Sequence, residues 1–251
     1  MSPSRPIAVV TGGSRGIGAA TATLLAKRGY DLCINYLSNA DAAEQTAEEC
    51  TASGARAIVV QGDMSTASDV ERLFDSVDSE LGRVAALVNN VGILDVQSSI
   101  EDMDAERFER VLRVNVLSAF LCSKAAFKRM ATKHGGDGGA IVNVSSMASR
   151  LGSPFEYVDY AASKGAMDSF TIGFAKEAAP EGVRVNAVRP GVIRTDIHAT
   201  GGMPDRVDRL GPDAPLGRGG EPEEVATAVA WLLSDEASYV TGSFIDVSGG
   251  R

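Results

Sequence analysis

The sequence predicts an α/β fold in which a parallel sheet is covered by helices on both faces. Three observations carry this. Short apolar runs alternate along the chain with longer segments whose apolar residues recur at helical spacing. Glycine closes the first three helical segments, at Gly29, Gly54 and Gly82, where a left-handed residue ends a helix at least cost. A glycine-rich turn, Thr11-Gly12-Gly13-Ser14-Arg15-Gly16-Ile17-Gly18, joins the first apolar run to the first helical segment. Alternation of this kind supplies the crossovers that parallel pairing requires.

Ile7–Val10 reads as the first strand and residues 15–28 as the helix after it. Asp31–Tyr36 is a second strand, followed by a polar-faced helix over 40–53; residues 56–61 and 67–81 repeat the unit. Val84–Asn89 is the fourth strand, and residues 104–130 hold one long helix or two abutting ones. The fifth strand spans 140–144, a helix 160–179, the sixth strand 183–188, and Phe244–Val247 is the seventh and last. Residues 222–234 form a helix with Pro222 in its first turn, where the missing N–H is least felt. Right-handed crossovers then leave a doubly wound sheet. No linker divides the chain, so 1–251 is expected as a single domain. The irregular stretch 195–220, rich in Gly, Pro and Asp, is expected to act as a lid.

A chain of 251 residues with 44% hydrophobic content can bury a substantial core. Its formal net charge of -9 would repel a nucleic-acid backbone, so no nucleic-acid partner is expected. Cys33, Cys50 and Cys122 contain no CxxC pair, and His134 and His198 have no ligand-spaced companion; neither a disulfide framework nor a metal site is expected. The opening residues carry no apolar leader, and no run approaches the ~20 apolar residues that span a bilayer. A cytoplasmic location and no membrane partner are the expectations.

Gly12, Gly16 and Gly18 allow a tight turn and a close backbone approach to a pyrophosphate at the helix N-terminus. The spacing is GxxxGxG rather than GxGxxG. Asn89-Asn90-Val91-Gly92 ends the fourth strand and Pro190-Gly191 closes the sixth, so more non-helical backbone converges on the same sheet edge. Asp63, after the third strand, can accept from an adenine amino group or cap a turn with Ser65 and Thr66. The second strand ends Asn35-Tyr36-Leu37-Ser38-Asn39, without the carboxylate that reads a ribose 2′-hydroxyl, while Arg15 inside the loop can pair with a 2′-phosphate. NADP is therefore preferred over NAD.

Tyr160 and Lys164 lie one helical turn apart and share a helix face. An ammonium there would bring a phenol down from its ordinary value of about 10. Ser145 and Ser146 end the fifth strand and can offer a hydroxyl to a substrate oxygen. Asn115 interrupts an apolar helical run and needs a buried partner or a function.

Taken together, these residues resemble the short-chain dehydrogenase/reductase family over essentially the whole chain, in its compact Rossmann-type branch. The resemblance implies Tyr160 as general acid-base, Lys164 lowering its pKa and gripping the ribose, Ser146 binding the carbonyl oxygen, and Asn115 holding a relay water. It implies cofactor contacts from Gly12, Ser14, Arg15, Gly16, Ile17, Gly18, Asn35, Ser38, Asp63, Met64, Asn90, Gly92, Pro190 and Gly191, with Ile193 and Thr195 on the carboxamide. Three departures stand out: Val91 in place of an alanine, one extra residue between Ser146 and Tyr160, and no basic residue over 35–39. The implied activity is hydride transfer between NADP(H) and a small-molecule carbonyl or secondary alcohol, such as a 3-oxoacyl thioester. The alternatives are a sugar dehydrogenase and a non-catalytic nucleotide sensor. Phe155, His198 and Met203 are expected to wall the substrate. The apolar helices around Val116, Leu117, Phe120, Leu121 and Phe127 imply a homotetramer.

Overall fold

The computed structural model describes residues 5–251. Residues 1–4, part of the stretch on which the expectation of no leader rests, lie outside them. In chain order the regular elements begin β1 (Ile7–Val10), α1 (Gly16–Lys27), β2 (Asp31–Tyr36), α2 (Ala40–Ala52), β3 (Ala57–Gln61), α3 (Ala67–Glu80) and β4 (Val84–Asn89). They continue α4 (Ala105–Leu112), α5 (Ser118–Met130), β5 (Gly139–Val144), α6 (Ala148–Leu151), α7 (Val158–Ala178) and β6 (Val183–Pro190). The chain ends α8 (Ile197–Thr200), α9 (Arg206–Leu210), α10 (Pro222–Leu233) and β7 (Phe244–Val247).

The seven strands form one parallel sheet in the order β3-β2-β1-β4-β5-β6-β7. Successive residues of a strand face opposite sides, and both sides are dry. Ala8, Val10, Leu32 and Ile34 pack toward α1, α2 and α10, where Leu25, Cys50 and Val229 are fully buried. Val9, Cys33, Leu87 and Ile141 pack toward α3, α5 and α7, where Phe74, Cys122 and Met130 meet them. All three cysteines are buried free thiols. The chain builds outward from β1 to β3, then returns to place β4 on the other side of β1. That reversal opens a crevice at the carboxyl ends of β1 and β4, the usual ligand position in such sheets.

One element settles an alternative the sequence left open, and two differ from its expectation. Residues 104–130 are two helices joined by a π turn over Arg113–Leu117, and Asn115 sits in the middle of that turn. Helix α7 starts at Val158, so Tyr160 lies inside its first turn rather than at its start. The 195–220 stretch holds the short helices α8 and α9, and a bridge between Ile193 and Gly220 pins its two ends. Among the described residues no helix is long and apolar enough to cross a membrane.

Candidate active site

The glycine loop after β1 is shaped by two residues in the left-handed region, Gly12 at φ 60° and Gly16 at φ 54°. Gly18 is small for a different reason. A Cβ there would lie 2.6 Å from Asn90 Nδ2 and would collide with the Gly12 carbonyl oxygen. Asn90 is the brace: its Nδ2 donates to Thr11 O at 3.1 Å and Gly12 O at 2.9 Å. The first turn of α1 has no side-chain cap and no acidic residue, so its N–H groups and dipole are left for an anion. Arg15 is exposed at the rim of the cavity beside this turn.

Asn35 departs from its expected role. It borders the cavity, but its Oδ1 accepts from Gly12 N at 3.2 Å and its Nδ2 donates to Gly62 O at 3.0 Å and Val60 O at 3.2 Å. Its polar atoms are spent on holding the loop, because a buried amide must find partners. Ser38 is exposed on the cavity rim, and Met64 is buried in its wall. Asp63 lines the cavity while capping the next turn, its Oδ1 accepting from Ser65 N at 2.9 Å and Ser65 Oγ at 2.8 Å.

One cavity of about 680 Å³ runs from this cradle to a second group of polar side chains. Tyr160, Ser146 and the largely buried Lys164 are on its wall, with the Lys164 Nζ 5.5 Å from the Tyr160 ring centre. Nζ donates to Val144 O at 2.8 Å. Burial brings the Lys164 ammonium down to about 8, with Asp168 pulling the other way. Burial also pushes the Tyr160 phenol up to about 12, opposed by the Ser146 hydroxyl beside it. At rest the phenol is thus held above its ordinary value by desolvation.

The two serines separate cleanly. Ser145 is buried, and its hydroxyl donates to Asp168 Oδ1 at 2.6 Å. Ser146 is half-buried on the cavity, so the extra residue before Tyr160 does not displace it from the site. Asn115 is fully buried; its Oδ1 accepts from Ile93 N at 2.7 Å, and its Nδ2 donates to Ile93 O at 3.1 Å and Ser163 Oγ at 3.0 Å. Its side chain is therefore a clamp, and a relay water would have to use its main-chain carbonyl.

Pro190, Gly191, Ile193 and Thr195 complete the crevice, together with Gly92, Ile17 and Ser14. Gly191 lets β6 pass the chain end closely, since a Cβ would meet Ser248 Cα at 2.8 Å. His198 lines the cavity as expected, with Nε2 2.9 Å from Ile193 O. A carbonyl can only accept, so Nε2 carries the proton, and burial lowers the ring's pKa and keeps it neutral. Phe155 and Met203 do not line the cavity; Phe155 is 84% exposed. Tyr157, Glu156 and Arg206 wall it instead. Arg206 pairs with Glu156 at 2.6 Å, and the buried Tyr157 hydroxyl donates to Gly201 O at 3.2 Å. The positions of Glu156 and Tyr157 follow from the fold of 152–157, where Ser153 and Phe155 adopt positive φ, and Arg206 comes from α9; nothing in their spacing signals it.

A phosphate-binding cradle at a topological switch point, leading to a tyrosine, a serine and a lysine, defines a dinucleotide-dependent oxidoreductase of the α/β class. The comparisons agree. The family model described as enoyl-(acyl carrier protein) reductase matches residues 12–251. An uncharacterized oxidoreductase of Escherichia coli strain K12 is 58% identical, covering 98% of this chain and 99% of that protein. An NADPH-dependent aldehyde reductase-like protein of Arabidopsis thaliana chloroplasts is 40% identical over 97% of this chain and 93% of its own. The crystal structure of a short-chain type dehydrogenase/reductase from Mycobacterium marinum superposes with a TM-score of 0.91 at 34% identity, covering 98% of this chain and 94% of that one. The chain belongs to the short-chain dehydrogenase/reductase family and is an oxidoreductase.

Proposed function

We propose that the protein interconverts carbonyl compounds and secondary alcohols with NADP(H), Tyr160 acting as the general acid-base. The observation that carries this reading is that Ser146, Tyr160 and Lys164 line one cavity together with the glycine loop, the Lys164 Nζ 5.5 Å from the Tyr160 ring centre. The cradle fits a dinucleotide: the first turn of α1 is uncapped and free of acidic side chains, and Gly12, Gly16 and Ile17 line the cavity beside it. Gly12, Gly16, Ile17, Asn90 and Gly92 would hold the pyrophosphate and ribose, and Ile193 and Thr195 the carboxamide. When bound, the cofactor supplies or accepts the hydride.

The remaining chemistry belongs to this chain. Ser146 donates a hydrogen bond to the substrate oxygen. Tyr160 gives its proton to the same oxygen as negative charge develops there. The Lys164 ammonium stabilises the phenolate that remains, and the Asn115 main-chain carbonyl, in the π turn, would anchor a water that returns the proton. NADP over NAD is supported by Arg15 at the rim, the absence of a carboxylate among Tyr36, Leu37, Ser38 and Asn39, and the NADPH named for the Arabidopsis relative. The whole of 1–251 serves as one catalytic domain, in the cytoplasm. The exposed Phe108, Leu117, Phe120 and Ile172, on α4, the π turn, α5 and α7, support a homotetramer.

The test is NADPH and NADH oxidation over acetoacetyl thioesters, diketones, aldehydes and sugar lactones, with Tyr160→Phe as control. Turnover with NADPH should fall by about 10²–10⁴-fold in the control while NADPH binding survives. Undiminished turnover in Tyr160→Phe would refute the tyrosine's role, and tight binding with no turnover on any carbonyl would favour a sensor.

A further inference from the structure

Arg107 and Asp159 play no part in the chemistry above, yet they are buried against each other beside the tyrosine, 7% and 1% exposed. Arg107 Nε donates to Asp159 Oδ2 at 2.7 Å, and a second guanidinium nitrogen reaches Oδ1 at 3.4 Å. The third donates to Val96 O at 2.7 Å. Asp159 Oδ1 also accepts from the main-chain N–H of Tyr160 at 2.8 Å. Asp95 and Asp104 add negative charge around Arg107, and the Tyr157 ring stands close by. A buried ion pair seldom stabilises a fold more than an apolar pair of the same shape, because desolvation offsets the attraction. Stability alone does not account for this one.

Its place in the chain does. Arg107 is on α4, which runs directly into the π turn that carries Asn115. Asn115 in turn donates to Ser163, whose hydroxyl donates to Tyr160 O at 2.7 Å. The unit formed by α4 and the π turn therefore grips α7 at two points, Asp159 and Ser163, which bracket Tyr160. Without the first grip, Tyr160 would sit in the opening turn of a helix, the part most prone to fray.

We propose that the Arg107–Asp159 pair is a positioning device: it locks the first turn of α7 so that the Tyr160 hydroxyl and Ser146 meet one substrate oxygen together. This rests on the reading of Tyr160 as the general acid-base. Reacting groups must be held within ~0.5 Å of the productive geometry, and ~1 Å of misplacement costs about 100-fold.

Two variants test it. Arg107→Lys keeps the charge but cannot span both carboxylate oxygens and Val96 O. Arg107→Met with Asp159→Leu removes both charges at similar volume and should fold. Each is measured for melting temperature, NADPH affinity, kcat, KM and amide exchange over residues 158–164. The expected result is NADPH affinity within about twofold of the parent, carbonyl KM within about threefold, kcat lower by about 10–100-fold, and faster exchange over 158–164. A well-folded double variant with parental kcat and exchange would make the pair a mere strut and overturn the proposal. If the double variant fails to fold, Arg107→Lys decides on the same readouts. Equal turnover by the parent and Tyr160→Phe would instead bring down the reading of the site itself, and the proposal with it.

Discussion

Gly18→Ala should damage cofactor binding more than its single methyl group suggests. An added Cβ would sit 2.6 Å from Asn90 Nδ2 and 3.0 Å from the Gly12 carbonyl carbon, closer still to its oxygen, and Cβ contacts under 3.0 Å essentially do not occur. Neither partner can swing away. Gly12 O is backbone, held by Asn90 Nδ2 at 2.9 Å, and Asn90 is itself anchored by its N–H to Thr11 Oγ1 at 3.0 Å. The start of α1 must therefore back off from the loop, and the N–H groups meant for a phosphate move with it. Overpacking of this kind costs about 1–3 kcal/mol of stability. For a chain of this size each kcal/mol lowers the melting temperature by about 2–4 °C. Losing one charge-assisted hydrogen bond costs about 1.5–3 kcal/mol, which is a rise of roughly 10–100-fold in the NADPH dissociation constant. Fluorescence titration with NADPH and a thermal melt on the same sample measure both. A Gly18→Ala protein that binds NADPH within about twofold of the parent would refute the role given to this contact.

The other predictions concern charge and assembly. Lys164 is brought down to about 8 by burial, so its ammonium is present below that pH and lost above it, while Tyr160 at about 12 keeps its proton throughout. Carbonyl reduction should be flat at low pH and fall about tenfold per unit above roughly pH 8, a limb that Lys164→Met abolishes at a low residual rate; a profile flat to about pH 10 would refute it. Arg15→Ala should raise the NADPH dissociation constant by roughly 10–100-fold and leave NADH unchanged; equal losses for both would show that Arg15 does not read the 2′-phosphate. Light scattering should give a four-copy mass, and a monomeric mass would refute the tetramer.

The sheet was legible because its evidence is local and repeated: each apolar run, each closing glycine and the loop after β1 independently indicate the same alternation. The glycine cradle and the Tyr160–Lys164 spacing were legible for the same reason. What escaped depends on contacts between distant segments. Asn35 lies near the end of β2 and borders the cavity, yet only the approach of Gly12 and Gly62 shows that its amide is consumed by the fold. Arg107 and Asp159 are 52 residues apart in the chain, and nothing local marks them as partners until α4 and α7 are brought together. The π turn itself was not read from the sequence, where Asn115 alone stood out in an otherwise apolar helical run.

Spacing alone does not set the electrostatics of Tyr160 and Lys164. Two residues one turn apart are neighbours, but the strength of their coupling depends on where each polar end points and how dry it is. Here the Lys164 ammonium is turned onto the Val144 carbonyl, and both groups are displaced toward their neutral forms by burial. The site at rest thus holds a reluctant acid and a weakened cation. Such an arrangement does little for an isolated phenol. In the proposed reaction it would act when a substrate oxygen against Ser146 becomes negative, because a proton leaving Tyr160 then has an acceptor and the phenolate left behind has an ammonium in a medium of low dielectric. The desolvation that raises Tyr160 also strengthens that interaction, so the catalytic benefit and the elevated resting pKa have one physical cause.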